Sequence, residues 1–407
     1  MAGALSHIRV LDLSRVLAGP WASQLLGDLG ADVIKIERPV TGDDTRAWGP
    51  PFLKDPQGRD TRDAAYFLCA NRNKQSVTVD FTRPEGQALV RALAAQSDVV
   101  LENFKLGGLK QYGLDYESLA PINPRLVYCS ITGFGQTGPY AERAGYDFLI
   151  QGMGGLMSIT GRRDGEPGAG PQKVGVALTD VLTGLYASNA ILAALAHRET
   201  SGRGQYIDLA LLDVQVASLA NQTMNYLTTG NPPQRMGNAH PNIVPYQDFP
   251  TQDGAMILAV GNDSQFAKLA LVAGHPEWAV SPDFATNRAR VENRTAFVEA
   301  FTAVSLTRTT KAWISDLETA GVPCGPINNL REVFEDPQVI SRGAKISLPH
   351  ATGVDVALVA NPIRMSETPP EYRSAPPTLG EHTRSVLAGR LGLPAGEIDA
   401  LAEKGVI

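Results

Sequence analysis

Short apolar runs separated by single polar or glycine-rich breaks dominate the first third of the chain. Ile8–Leu13 (IRVLDL) is long enough for one buried strand, and Ser14–Pro20 that follows reads as a loop. Trp21–Leu29 carries apolar residues at helical spacing, with Pro20 suited to a first turn, and Gly30 ends it. Ala31–Glu37 (ADVIKIE) is a second strand. A strand, a helix and a strand within about 30 residues predict a right-handed crossover and a parallel pair. The alternation continues with strand Ser76–Phe81, helix Pro84–Gln96, strand Asp98–Glu102 and strand Pro124–Thr132. Such alternation predicts a mostly parallel sheet covered by helices.

Further along, the pattern loosens. Arg38–Asn71 and Gly152–Gly170 are loop-rich, and long irregular segments in a compact domain are usually functional or mobile. Thr179–His197 predicts a long helix, apolar on most faces and therefore buried. Gly202–Asp208 leads into a further helical stretch, Leu209–Leu227. The prolines between Thr228 and Pro245 read as a boundary. A smaller α+β unit is expected from about Val244 to Asn329, loops and strands from Leu330, and a closing helix at Gly380–Leu391.

At 407 residues the chain has ample length for a large core and for two or three domains. Its longest uninterrupted apolar run, Ala190–Ala196, is far short of the ~20 residues of a spanning helix. The opening MAGALSHIRVLDLSR has no features of a leader. No membrane partner is expected. A net charge of -6 without a basic block makes nucleic acid a poor partner. Three scattered cysteines and six unpaired histidines support neither a disulfide framework nor a metal site, and a reducing cytoplasmic setting is the simplest reading.

Glu37 ends the second strand where a dinucleotide-binding fold places its ribose-binding acid, but the loop before the first helix, LSRVLAGP, lacks GxGxxG. A nicotinamide enzyme is therefore disfavoured. Asp180 precedes the long apolar helix. It reads as an N-cap, or as a carboxylate kept ionised by the helix dipole and available for covalent catalysis on an acyl group. Tyr146 and Asp147 alone suggest a turn. Arg38, Arg46, Arg72, Lys74, Lys105 and Lys110 are surface charges, or in part a phosphate-binding set at strand ends. His240 is a plain loop histidine, or a donor or base near neutral pH.

Taken together, several segments resemble the class III CoA-transferases, the group related to formyl-CoA transferase and carnitine CoA-transferase. They are VLAGP at Val16–Pro20, LGADVIKIERP at Leu29–Pro39 and GDDTRAWGPPF at Gly42–Phe52. NRNKQSVTVDF at Asn71–Phe81, ENF at Glu102–Phe104, TGFGQTGPY at Thr132–Tyr140, RAGYD at Arg143–Asp147 and GVALTD at Gly175–Asp180 continue the series. NIVPYQ at Asn242–Gln247 and GVPCGPINN at Gly321–Asn329 look most like the succinyl-CoA:glutarate (dicarboxylate) branch.

The resemblance implies a Rossmann-like α/β large domain built from both chain ends, with a smaller α+β middle domain, in an interlocked homodimer. The implied layout is 1–227 for the large domain and linker helix, 228–330 for the small domain and 331–407 for the return. The nucleophile would be Asp180. Contacts to CoA would fall on Leu17, Ala18, Arg38, Val79, Asn103, Phe104, Lys105, Lys110, Tyr146 and Asp147. Acyl-CoA and a small carboxylic acid would be substrates, with no permanently bound cofactor and no metal. Arg46 is assigned to the distal carboxylate of a dicarboxylic acyl group, Gly261 or the Gly152–Gly155 run to the oxyanion, and His240 to the substrate region. Two departures narrow the reading. Leu17 replaces the glutamine of formyl-CoA transferases, and AVGNDSQ at Ala259–Gln265 replaces a glycine run, so oxalate is not the expected acceptor. Racemases of the group carry histidine where Tyr146 stands, and a phenol with a pKa near 10 is a poor acid/base for Cα. A CoA-transferase is the expectation; a racemase or a non-catalytic CoA-binding protein are the alternatives.

Overall fold

The computed structural model describes residues 3–407; Met1 and Ala2 lie outside them. The chain forms two compact units, one from the chain start to Leu156 with Val174–Thr228 and Ile340–Ile407, the other Met157–Lys173 with Thr229–Val339. Part of the glycine-rich stretch after Leu156 belongs to the second unit.

The first unit is built on a six-stranded sheet in the order Lys74–Thr78, Asp32–Glu37, Arg9–Asp12, Val99–Glu102, Val127–Thr132, Tyr206–Ala210, parallel throughout. Period-two alternation divides its side chains between two cores. Val10, Val33, Val99, Leu101, Val127 and Cys129 meet Ala22 and Leu26 of helix Ala18–Asp28 and Ala187, Ile191 and Leu195 of helix Leu178–Ser201. On the other face Leu11, Ile34, Val77, Val100 and Tyr128 meet Leu89 and Leu93 of helix Pro84–Ala95. Val386, Leu387, Ile398 and Leu401 join that second core from helices Thr383–Leu391 and Ala395–Glu403. The end of the chain therefore packs on the same sheet as its beginning.

Three details differ from the sequence reading. Tyr206–Ala210 is the sixth strand and not the approach to a helix, and helices Leu211–Ser218 and Ala220–Thr229 follow it. A helix beyond Leu391, Ala395–Glu403, ends the fold. Helix Leu178–Ser201 is buried along one side only; Leu185 and Tyr186 stay exposed. This helix alone among the described residues is long and apolar enough to cross a membrane, yet its buried side includes Asp180, Thr183 and Arg198. It lies close on helix Ala18–Asp28 because Gly184 has no Cβ; one built there would sit 2.8 Å from the Ala18 carbonyl oxygen.

The second unit has a three-stranded antiparallel sheet, Cys324–Pro326, Ala255–Ala259 and Tyr246–Pro250. Helices Asp263–Val272, Arg294–Ser305 and Thr310–Thr319 cover a core of Phe249, Phe266, Phe297, Phe301, Trp278 and Trp313. Its elements are of mixed α and β type.

Candidate active site

Helix Leu178–Ser201 starts at the N-cap Ala177, which has no side chain able to receive the first backbone N–H groups. Asp147 supplies the missing acceptor from elsewhere in the chain. Its Oδ1 accepts the Thr179 N–H at 2.8 Å and the Asp180 N–H at 3.4 Å. Its Oδ2 accepts from Gln151 Nε2 at 2.7 Å, while Gln151 Oε1 takes the Val174 N–H at 2.9 Å. Thr179 Oγ1 donates to Gln215 Oε1 at 2.6 Å. Asp147 is placed by a backbone contact: Gly133, of the TGFGQTGPY segment, and Gly145 lie so close that a Cβ on either would meet the other's Cα within 2.5 Å. Two sequence motifs are thereby locked together just before Tyr146 and Asp147.

Asp180 is thus the third residue of the helix and not its cap. Asp180 is buried, 9% exposed as a residue, and no donor among the described residues hydrogen-bonds its carboxyl. Burial, and secondarily the neighbouring Asp147 charge, push its pKa up to about 7. Tyr66 shares this environment; burial and then Asp180 raise its phenol to about 12. Sequence reading passed over Tyr66, Gln151 and Gln215 because no spacing marks them. Tyr146 is 65% exposed at the start of helix Asp147–Met153.

A separate cavity opens at the carboxyl ends of the strands. Leu13, Arg15, Lys35, Arg38, Asp43, Val79, Phe81, Phe104, Lys105, Gln111 and Tyr112 line it. Arg38 and Lys105 are exposed there and form no ion pair among the described residues, so both cations are free for an anion. Phe81 lies edge-on to Phe104 and Tyr112, at 5.7 Å and 5.6 Å. Four of the residues expected to touch CoA, Arg38, Val79, Phe104 and Lys105, therefore come together. Lys110 does not join them: it lines the adjoining cavity beside Glu102, Tyr116 and Tyr206 and pairs with Glu117 at 3.4 Å. Gln111, one residue on, faces the first cavity instead. Leu17 and Ala18 lie at the start of helix Ala18–Asp28, outside this lining.

Under the cavity runs a buried charge network. Lys35 pairs with Asp43 at 2.9 Å and Lys74 with Asp12 at 3.2 Å, all four side chains fully enclosed. Burial alone would raise the Asp43 acid, but Lys35 and the Thr45 N–H outweigh it and hold the pKa at about 2. Lys74 goes the other way, to about 8, because burial outweighs Asp12. Arg72, expected on the surface, is buried and forked onto Asp28 at 2.8 and 2.6 Å.

Arg46 belongs to the same kind of network, which corrects its assignment to substrate. Its Nε and Nη2 donate to Glu37 at 2.8 and 2.7 Å, Nη1 to Asp63 and Nη2 to the Pro377 carbonyl; the guanidinium stacks 3.6 Å from the Phe67 ring. At 3% exposure, with four of its five N–H donors given to Glu37, Asp63 and Pro377, it is a structural cation. Each Glu37 oxygen accepts two hydrogen bonds, from Arg46 and from Ser76 or the Asp43 N–H, so the carboxylate has no acceptor site left for a ribose hydroxyl. Gly261 is a poor oxyanion donor, since its N–H is already given to Gln265 Oε1 at 2.8 Å. Of the alternative run, Gly154 donates its N–H to Ile150 at 2.7 Å. His240 accepts the Asn242 N–H on Nδ1 at 3.1 Å and leans on Tyr246; burial and Arg294 lower its pKa, so it is neutral near pH 7.

The first unit thus combines a parallel sheet, a long helix capped by Asp147 and carrying the buried Asp180, and a cavity at the strand ends lined by the exposed cations Arg38 and Lys105. The family model for CoA-transferase family III matches residues 5–383, and the chain belongs to that family. It is 54% identical, over 94% of its length and 95% of the relative's, to a succinate--glutarate CoA-transferase of Agrobacterium fabrum. Against a succinyl-CoA:glutarate CoA-transferase of Homo sapiens it is 42% identical over 99% of its length and 90% of that relative's. A solved CAIB/BAIF family protein from Brucella suis superposes with a TM-score of 0.83 at 52% identity, over 96% of this chain and all of that one.

Proposed function

We propose that the chain transfers CoA from succinyl-CoA to a second, dicarboxylic acid, with glutarate the first candidate, through covalent intermediates on Asp180. The observation that carries this reading is the Asp180 carboxyl: enclosed, without a donor among the described residues, and raised to a pKa of about 7. An acid of that kind is a stronger nucleophile once ionised than a solvated aspartate, and enclosure protects an anhydride from water. The similarity to relatives named for succinate, succinyl-CoA and glutarate supports the choice of acids.

An Asp180 oxygen attacks the thioester carbonyl, the C–S bond breaks, and CoA leaves as thiolate. The product is a mixed anhydride between Asp180 and the succinyl group. The thiolate then attacks the Asp180 carbonyl carbon, expelling succinate and leaving an aspartyl-CoA thioester. The incoming carboxylate attacks that thioester, freeing the thiolate and forming a second anhydride. Attack of the thiolate on the new acyl carbonyl releases Asp180 and the new acyl-CoA. Thioester is exchanged for thioester, so the balance needs no ATP and no resident cofactor. Arg38 and Lys105 would hold CoA phosphates, with Phe104, Phe81 and Tyr112 offering an apolar wall to the base. Asp147 sets the helix end that carries Asp180.

A homodimer, interlocked as the family resemblance implies, agrees with the exposed apolar side chains of the first unit. Tyr146, Phe148, Leu149, Met153, Leu185, Tyr186, Met224 and Leu227 all face outward in the single chain. Sedimentation of the purified protein tests this; a monomer at micromolar concentration would remove it. The three free cysteines fit the expected cytoplasm. Succinyl-CoA incubated with a panel of mono- and dicarboxylic acids, read by mass spectrometry, tests the reaction. A panel without new acyl-CoA, or deuterium entering Cα without an acceptor acid, would sink it.

A further inference from the structure

Val16 adopts φ +70, a left-handed conformation that a β-branched residue rarely takes. Among the described residues only Val40, Asn73 and Ala220 share that sign without being glycine. Such a residue stays in place only where its surroundings hold it. Here they do so from three strand ends. The Arg15 N–H donates to Asn103 Oδ1 at 2.8 Å, and Asn103 Nδ2 donates to the Arg15 carbonyl at 2.7 Å. The Val16 N–H donates to Asp43 Oδ1 at 3.2 Å. Lys35 Nζ donates to the Ser14 carbonyl at 2.8 Å, and Asp12 Oδ1 accepts the Ser14 N–H at 2.9 Å.

Directly after Val16 come Leu17, the N-cap of helix Ala18–Asp28 with no capping side chain, and Ala18, its first residue. A change of φ at Val16 swings both, because every following atom turns about that one bond. Asn103 grips this loop with both polar atoms of its amide, one accepting and one donating.

We infer that Asn103 is a positioning residue: with Asp43 it holds Val16 left-handed and so aims the Leu17–Ala18 backbone at the acyl-CoA. The inference rests on the reading of Leu17 and Ala18 as CoA contacts. It separates Asn103 from residues that touch CoA themselves, such as Arg38 and Lys105.

The test is a double-mutant cycle on the full chain. CoA affinity is measured by calorimetry, and kcat and KM are measured with succinyl-CoA and glutarate. Asn103→Ala is expected to weaken CoA binding and raise the succinyl-CoA KM by about tenfold, with kcat changed less than about threefold. Val16→Gly alone stays within about twofold, since glycine takes φ +70 without strain. Adding Val16→Gly to Asn103→Ala restores affinity to within about threefold of wild type, because the loop no longer needs the clamp. A double variant as weak as Asn103→Ala means direct contact and overturns the proposal, as does an Asn103→Ala protein with wild-type affinity. Should Asn103→Ala fold poorly, Asn103→Asp keeps the acceptor for the Arg15 N–H and loses the donor. An intermediate loss, again rescued by Val16→Gly, is then expected, and an unrescued loss overturns the proposal. Wild-type protein that binds no CoA at all overturns the functional reading itself, a result distinct from either failure of the clamp.

Discussion

Asp43 and Asp180 are both buried aspartates of the first unit, 1% and 9% exposed, yet one acid lies at about 2 and the other at about 7. Burial raises both. The difference is made by partners: Asp43 has Lys35 at 2.9 Å and the Thr45 N–H and hydroxyl, whereas Asp180 has no cation or donor among the described residues and faces the Asp147 charge. A buried carboxylate with full pairing shapes the fold, and one without partners is available for chemistry. The same contrast separates Arg46 from Arg38. Both follow the second strand; one is paired with Glu37 and Asp63, the other is exposed and pairs with no acid among the described residues.

The largest effect that tests this contrast is on turnover. Asp180→Asn keeps the side-chain shape and removes the nucleophile, so transfer should fall on the order of 10⁴-fold or more while CoA binding survives. A steady-state rate within tenfold of wild type would break the comparison at its functional end.

Asp43→Asn should act on stability instead. Breaking an enclosed pair leaves Lys35 uncompensated, at a cost of about 3–5 kcal/mol in urea unfolding. The sign with pH follows from the lowered acid. Stabilisation by Asp43 is complete above the unfolded value near 3.9 and is lost as pH falls toward about 2. The variant should therefore show a flatter acid limb over that window.

Asp180→Asn should move stability the opposite way. A raised acid favours the fold below its unfolded pKa and loses that advantage as pH rises through about 7. At pH 8 the amide variant should be more stable than wild type by about 2–4 kcal/mol. Equal unfolding midpoints for the two proteins would show that Asp180 is not held at a cost. In kcat/KM, the acid limb should sit near pH 7 and move to lower pH in Asp147→Asn, which keeps the Oδ1 acceptor and removes the charge.

Arg38→Ala and Lys105→Ala should each weaken CoA binding by about tenfold, with the loss shrinking in high salt. Arg46→Ala should instead lower the unfolding midpoint, since Glu37 and Asp63 would remain buried without it.

Much of the first unit is legible along the chain. Ile8–Leu13, Ala31–Glu37 and Asp98–Glu102 alternate or run apolar over strand length, and each contains an observed strand. Tyr206–Ala210 was hidden because YIDLA passes without glycine or proline into LLDVQVAS, whose pattern is helical. The last helix, Ala395–Glu403, left a weak trace in Pro394 and the spacing of Ile398 and Leu401. Asp180 could be singled out by its segment and its place before a long helix. Its protonation could not, because desolvation depends on what the rest of the chain folds over it.

The sequence by itself determined the α/β order, the family and the one aspartate on which the chemistry is expected to turn, because strand and helix periods and short motifs are local properties. Only the tertiary structure decided which charges are free. Arg46, Arg72 and Lys74 look like Arg38 and Lys105 in the sequence, but distant acids at Glu37, Asp63, Asp28 and Asp12 neutralise the first three. It also decided that Asp147, from another segment, caps the helix of Asp180, and that Asn103 grips the backbone of Arg15. Pairing of charges and satisfaction of backbone groups are contacts between residues far apart in the chain, and no local pattern records them.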